Sequence, residues 1–189
     1  MRRPRQVHGA DVAVVGAPAP PGARPFGDAG AAPEADAVVA PVPGFALAVL
    51  VADCAPVGLG SPEGVYAAVH VGWRGLAAGV LGRALAVMGA LGASTVQAGV
   101  GPCIGPCCYE FGPAGLDDLR QAVPGAVGAR TRDGRPALDL RAGVRAQLAA
   151  GGAALALEAP ECTVCAPGSF SHRGRRDEGR QALFVWRRA

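Results

Sequence analysis

The chain has no lysine and no asparagine; apart from three histidines, every basic residue is an arginine. Together with heavy use of Ala, Gly and Pro, this points to GC-rich coding more than to a selected charge. The formal net charge of +3 is therefore a weak guide to partners. Aromatic residues are scarce, at 5% of 189 residues. Arginines gather in "MRRPRQ" and "SHRGRRDEGR", but a nucleic-acid surface interleaves such a patch with rings on which bases stack. No nucleic-acid partner is expected. No run approaches the roughly 18 uninterrupted apolar residues of a spanning helix; "FALAVLVAD" is short and ends in a charge. "MRRPRQVHG" is not followed by the apolar segment of a signal peptide. Neither a G-x-G-x-x-G nor a Walker-type loop occurs. What remains is a cytoplasmic protein with no membrane partner, long enough for one domain with its own core.

Short apolar runs alternate with helical periodicity. Residues 11–15, 35–42, 45–53, 64–71 and 95–101 read as strands bounded by Pro and Gly, and "ALALE" and "ALFVW" close the chain as two more. The Pro- and Gly-rich stretch 16–34 reads as a surface loop. From Gly75 the period changes: Leu76, Val80, Ala84, Val87 and Leu91 share one face of an amphipathic helix, with Gly92 as its C-cap. Further helices are expected at 113–123, with Pro at the start, and from an Asp139 N-cap to Gly151 or Gly152. Consecutive strands without strict βαβ alternation favour α+β, with mixed sheets covered by helices, over a doubly wound sheet.

Three rare groups sit at strand edges: His8 in "RQVHGADV", Cys54 in "VADCAPV" and His70 in "AAVHVGWRG". Two imidazoles and a thiolate suit zinc, and also copper; three protein ligands with an open fourth position would be a catalytic arrangement. Separations of 46 and 16 residues give no local spacing motif. The plainer alternative is hydrogen-bonded loop histidines and a buried small thiol. The same residues also allow a Cys54 nucleophile with His70 as base, oriented by Asp53 or another acid. In "GPCIGPCCYE" and "ECTVC", Cys103 and Cys107 have zinc-like spacing, and Cys162 with Cys165 would complete a four-thiolate site. That assignment leaves Cys108 over. Arg74 can clamp a phosphate or carboxylate, or form a surface ion pair. "SFSHRGRRDEGRQ" offers Ser171, His172, Arg173 and Arg180 as polar groups, with Arg175 and Arg176 reading as solvated, mobile loop.

In their order along the chain, "RQVHGADV", "ADCAPV", "AAVHVGWRGLAAGVL", "GPCIGPCCYE" and "FSHR…GRQA" resemble the YfiH family of laccase-domain proteins, also called polyphenol oxidases and purine nucleoside phosphorylases. The resemblance implies a four-layer α/β/β/α fold with mixed sheets, related to the catalytic domain of cytotoxic necrotizing factor. It implies that His8, Cys54 and His70 hold a metal, usually read as zinc with copper as the alternative, and that this metal site does not use the 103–108 cysteines. The implied activity is phosphorolysis of adenosine, inosine, guanosine or methylthioadenosine to free base and a ribose 1-phosphate, with deamination of adenosine also attributed to the family. Cys54, His70 and Arg74 would be catalytic, and Arg74, Arg173 and His172 would bind substrate. Nucleoside and phosphate would be the small-molecule partners, to a monomer or homodimer. The resemblance also admits a copper-dependent phenol oxidase, an editing factor for cell-wall precursors and a Cys–His hydrolase. Family members carry a segment before the "QVHG" motif, whereas this chain starts almost at it. A single domain over 1–189 lacking that segment is expected.

Overall fold

The computed structural model describes residues 1–27, 31–123 and 127–188; positions 28–30 of the expected 16–34 loop lie outside them. Seven strands form one mixed sheet in the order β10-β7-β5-β6-β3-β1-β2. These are β1 (Val12–Val14), β2 (Ala23–Pro25), β3 (Ala37–Ala40), β5 (Ala55–Gly60), β6 (Tyr66–Val71), β7 (Gln97–Val100) and β10 (Ala154–Glu158). A second sheet pairs β4 (Ala46–Val51) antiparallel with β11 (Gln181–Trp186). The amino-terminal segment lies along the other edge of β4: Arg2 N donates to Ala46 O at 2.7 Å, and the Gln6 amide pairs with both backbone groups of Leu50 at 2.8 Å. The mixed arrangement of strands and few helices agrees with the expected fold class.

Alternation along the strands sorts side chains into two cores. Val12, Val14, Ala37, Val39, Val69 and Val71 face the helices, while Ala13, Val15, Val38, Ala40 and Ala68 face β4 and β11. Both sheet faces are covered, so β1, β3 and β6 are buried throughout. The four longer helical segments all bury side chains in the first core: α1 (Trp73–Ala77), α2 (Val80–Ala90), α3 (Pro113–Ala122) and α4 (Leu140–Ala150). The described residues thus fill one helical layer and two sheet layers. The outer face of β11 carries Phe184 and Trp186, 47% and 64% exposed, and the expected second helical layer is not among the described residues.

The helix expected from Gly75 begins at Trp73 and is broken at Gly79, whose φ of +76° suits the left-handed region open to glycine. Leu76, Val80, Ala84 and Val87 nonetheless share the predicted buried face. Four strands were not expected. Strand β5, "APVGLG", is disguised in the sequence by proline and glycine, yet Val185 of β11 packs over Gly58: a Cβ there would meet its methyl at 3.2 Å. Strand β2 forms inside the expected loop, paired to β1. A small hairpin joins β8 (Gly128–Arg130) to β9 (Pro136–Leu138). No helix among the described residues is long and apolar enough to cross a membrane.

Asp139 caps α4 as expected, its carboxylate accepting from Ala142 N at 3.0 Å. Asp139→Ala should cost about 1 kcal/mol of stability. Urea denaturation should show this as a lower midpoint with an unchanged slope; an unchanged midpoint would remove the cap from the account.

Candidate metal centre

The site begins with an aspartate. Asp36 stands just before β3 and is wholly buried. Its carboxylate accepts from Val7 N at 3.2 Å, His8 N at 3.0 Å and Gly9 N at 2.7 Å, so it collects the amides of the His8 turn. It also takes His70 Nδ1 at 2.7 Å, which leaves Nε2 as the outward nitrogen. His70 itself lies on β6, whose backbone pairing fixes it opposite Pro56. Cys54 ends the short link from β4 and stands immediately before β5. The ligand atoms of His8, Cys54 and His70 all lie within 4.8 Å of one another, and the two imidazoles meet edge to face at 4.8 Å between centroids. Three sequence positions with no local motif are thus one cluster.

The electrostatics agree with that geometry. Burial raises the Asp36 pKa, but hydrogen bonds from His70 and the loop amides outweigh it and hold the carboxyl below its ordinary value. Burial pushes the Cys54 thiol up, yet hydrogen bonds with His70 and His8 overcome this and bring it down to about 7. Burial disfavours charge on His70, but Asp36 and Cys54 override it and raise its pKa to about 9. The group is therefore disposed to carry a thiolate beside positive charge. A divalent ion would replace that charge while His70 kept its proton on Nδ1 for Asp36. Two imidazoles and a thiolate on one small cluster, His8 exposed and His70 buried, fit a metal with one side open.

Close approach explains the glycines of "GWRG". A Cβ on Gly72 would lie 3.0 Å from Cys54 Sγ and 3.1 Å from His8 Cδ2, and one on Gly75 would lie 2.9 Å from Gly9 O. Helix α1 backs directly onto the cluster because those positions carry no side chain. Two non-glycine residues at the site have positive φ, His8 at +61° and Asp53 at +91°; such conformations persist where the surroundings over-determine them.

Asp53 does not orient the imidazole. Its carboxylate accepts from Thr163 Oγ1 at 2.6 Å, Ser171 Oγ at 2.7 Å and Arg173 N at 2.6 Å. It pins the 163–173 loop beside Cys54, and Asp36 is the acid on His70. Ser171 is a buried anchor. The expectation of a solvated Arg175 is corrected: its guanidinium donates to Val164 O at 2.9 Å and to Asp177 at 3.0 Å, clasping the loop.

A cavity of about 650 Å³ opens over the cluster, lined by His8, Cys54, His70, His172, Arg180 and the amino-terminal Arg3 and Arg5. That volume suits a small-molecule ligand. Arg74 and Arg173 lie outside this lining, on an aromatic shelf. The Arg74 guanidinium sits 4.3 Å from the Trp73 ring centroid, and that of Arg173 sits 5.1 Å from Tyr109. Phe111 links the two rings edge-on, at 5.5 Å to Trp73 and 5.8 Å to Tyr109. Burial, then the Cys54 charge, push Tyr109 up to about 12, and Gly72, next to Trp73, lies against Cys54 Sγ and His8. Asp36, Arg3 and Arg5 were not singled out by sequence. An acid heading the apolar run "DAVVA" was the available signal for Asp36.

Residues 1–188 match the family described as multi-copper polyphenol oxidoreductase laccase. The chain belongs to that family. A Streptomyces coelicolor protein named purine nucleoside phosphorylase is 46% identical over 184 residues, covering 96% of this chain and 72% of its own length. The YlmD protein of Geobacillus stearothermophilus, also named a purine nucleoside phosphorylase, is 35% identical over 195 residues, covering 97% of this chain and 70% of its own length. Its crystal structure superposes with a TM-score of 0.79, covering all of this chain and 74% of that one at 31% identity. The YfiH protein of Bacillus licheniformis superposes at 0.82, covering 98% and 73%, at 26% identity. The family resemblance read from the sequence motifs holds.

Asp36→Asn replaces an acceptor-only carboxylate by an amide that can serve only part of the four donors. It should weaken metal affinity roughly 10–100-fold, as loss of a ligand-orienting partner does. Competition with a chelator measures this; unchanged affinity would show that Asp36 does not organise the ligands.

Proposed function

We propose that this chain is a zinc-dependent purine nucleoside phosphorylase of the cytoplasm, acting on adenosine, inosine, guanosine or methylthioadenosine, with adenosine deamination as a second activity. The observation that carries this is the cavity whose floor is His8, Cys54 and His70 and whose walls are cationic. The names of its relatives support the same reading. In the reaction a phosphate oxygen bonds to C1′ of the ribose as the bond from C1′ to the purine nitrogen breaks. The electron pair of that bond leaves with the base, which takes up a proton. Two demands follow: donors for the phosphate, and charge stabilisation around an oxocarbenium-like sugar.

Arg74 and Arg173 meet the first. Stacking on Trp73 and Tyr109 restrains each guanidinium; Arg173 Nη1 also donates to Glu110 O at 3.4 Å, which leaves its Nε and Nη2 for an anion. His172 and Arg180 face the cavity from the loop fastened by Asp53 and supply further donors to the nucleoside. Cys54 and His70 hold the ion at the floor with His8, and Asp36 keeps the His70 proton on Nδ1. Bound there, zinc would supply a Lewis acid. Copper on the same donors would instead favour phenol oxidation, and metal analysis of purified protein separates the two.

The test is release of hypoxanthine from inosine with and without phosphate. Release should require phosphate and vanish in Cys54→Ala; release without phosphate would make the chain a hydrolase. Arg74→Ala should raise the phosphate KM by about 10-fold or more, the value of one charge-assisted contact. An unchanged KM would remove Arg74 from the phosphate site.

A further inference from the structure

Outside this site the structure gathers four of the six cysteines at one place. The sequence spacing pairs Cys103 with Cys107, but Cys103 is fully buried in the core. Its backbone instead bridges to Cys162, Thr163 N donating to Cys103 O at 3.2 Å, and this lays the 103–110 and 162–173 segments side by side. The 3₁₀ turn Pro106–Cys108 then presents Cys107 and Cys108 towards the turn at Cys162–Cys165, where Cys165 N donates to Cys162 O at 3.0 Å. The four sulfurs of Cys107, Cys108, Cys162 and Cys165 lie within 4.8 Å of one another, with Cys107–Cys165 at 3.8 Å and Cys108–Cys165 at 3.4 Å.

From this cluster we propose that Cys107, Cys108, Cys162 and Cys165 form a second metal site, a closed four-thiolate centre for zinc. Tetrahedral zinc with Zn–S bonds of about 2.3 Å sets its sulfurs roughly 3.8 Å apart, close to the spacings of Cys107 and Cys108 from Cys165. The surroundings suit thiolates. Gly105 N donates to Cys162 Sγ at 3.2 Å, and Arg132 Nη2 donates to Cys165 Sγ at 3.2 Å, offsetting part of the charge of four thiolates on one divalent ion. Gly105 also admits the cluster: a Cβ there would lie 3.2 Å from both Cys107 Sγ and Cys162 Cβ. The site is an intrachain clip. It joins the segment leading into Tyr109 to the loop that carries Thr163, Ser171 and Arg173 onto Asp53, and so supports the shelf beside the first centre without touching it.

The wild-type chain tests this without any assumption about activity. Cys165 is exposed and Cys107, Cys108 and Cys162 are only partly buried, so iodoacetamide should reach all four if nothing holds them. In zinc-loaded, reduced protein, mass-spectrometric mapping should find these four protected and rapidly alkylated once a chelator is added. Alkylation at the same rate with zinc present overturns the proposal. So does protection that a chelator does not relieve and a reductant does, since that is a disulfide. Cobalt(II) should give the intense visible bands of a tetrahedral tetrathiolate. Cys54→Ala should keep them, whereas Cys107→Ser/Cys165→Ser should lose them together with one equivalent of metal. If the double variant does not fold, the wild-type alkylation map decides.

Discussion

Everything at the candidate centre hangs on one buried carboxylate. Asp36 is removed from water, a costly position for a charge unless hydrogen bonds replace its hydration. Three loop amides and an imidazole do so. Those bonds come from opposite directions, the turn at 7–9 and strand β6. Satisfying them therefore sets both the left-handed backbone of His8 and the ring orientation of His70. Because β3 pairs directly with β6, the acid and the histidine it holds belong to the rigid middle of the sheet. The third donor, Cys54, lies where the chain crosses from β4 of the second sheet to β5 of the first, immediately before β5. Only one sulfur and two nitrogens need face outward for a metal.

A second carboxylate does the matching work for the substrate side. Asp53, one residue before Cys54, gathers Thr163, Ser171 and the amide of Arg173, and its carbonyl accepts from Ile104 N at 2.8 Å. The loops that bring Cys103–Tyr109 and Ser171–Arg173 to the centre are fastened to the same residue. A thiolate-bound zinc a few residues further along those loops would tie them again on their outer side. The two proposed metal sites then have separate duties, one open to the cavity and one closed.

How much of this the sequence disclosed depends on residue type. Strands such as "DVAVV" and "VYAAVHV" are legible because β-branched and small apolar residues run unbroken between turn signals. "APVGLG" is not, because Gly58 serves the packing of β11, a tertiary contact that no local pattern records. His8, Cys54 and His70 stood out by rarity and by their places at strand ends, but their convergence depends on sheet order, which spacings of 46 and 16 residues do not encode. The family motifs supplied that step. The cysteine spacing misled for a related reason. Cys103 and Cys107 have a metal-like separation, yet the bridge to Cys162 turns Cys103 into the core and leaves Cys108 facing the cluster. Asp36 and Asp53 escaped notice or were misassigned because a carboxylate's partners are backbone amides and hydroxyls from distant segments.

The most direct measurement is an anomalous difference map, collected at the zinc absorption edge, from crystals of zinc-loaded protein. The account predicts a peak shared by Cys54 Sγ, His70 Nε2 and the His8 ring at the floor of the cavity. Ordered, loaded protein with no anomalous density between those three residues would contradict it.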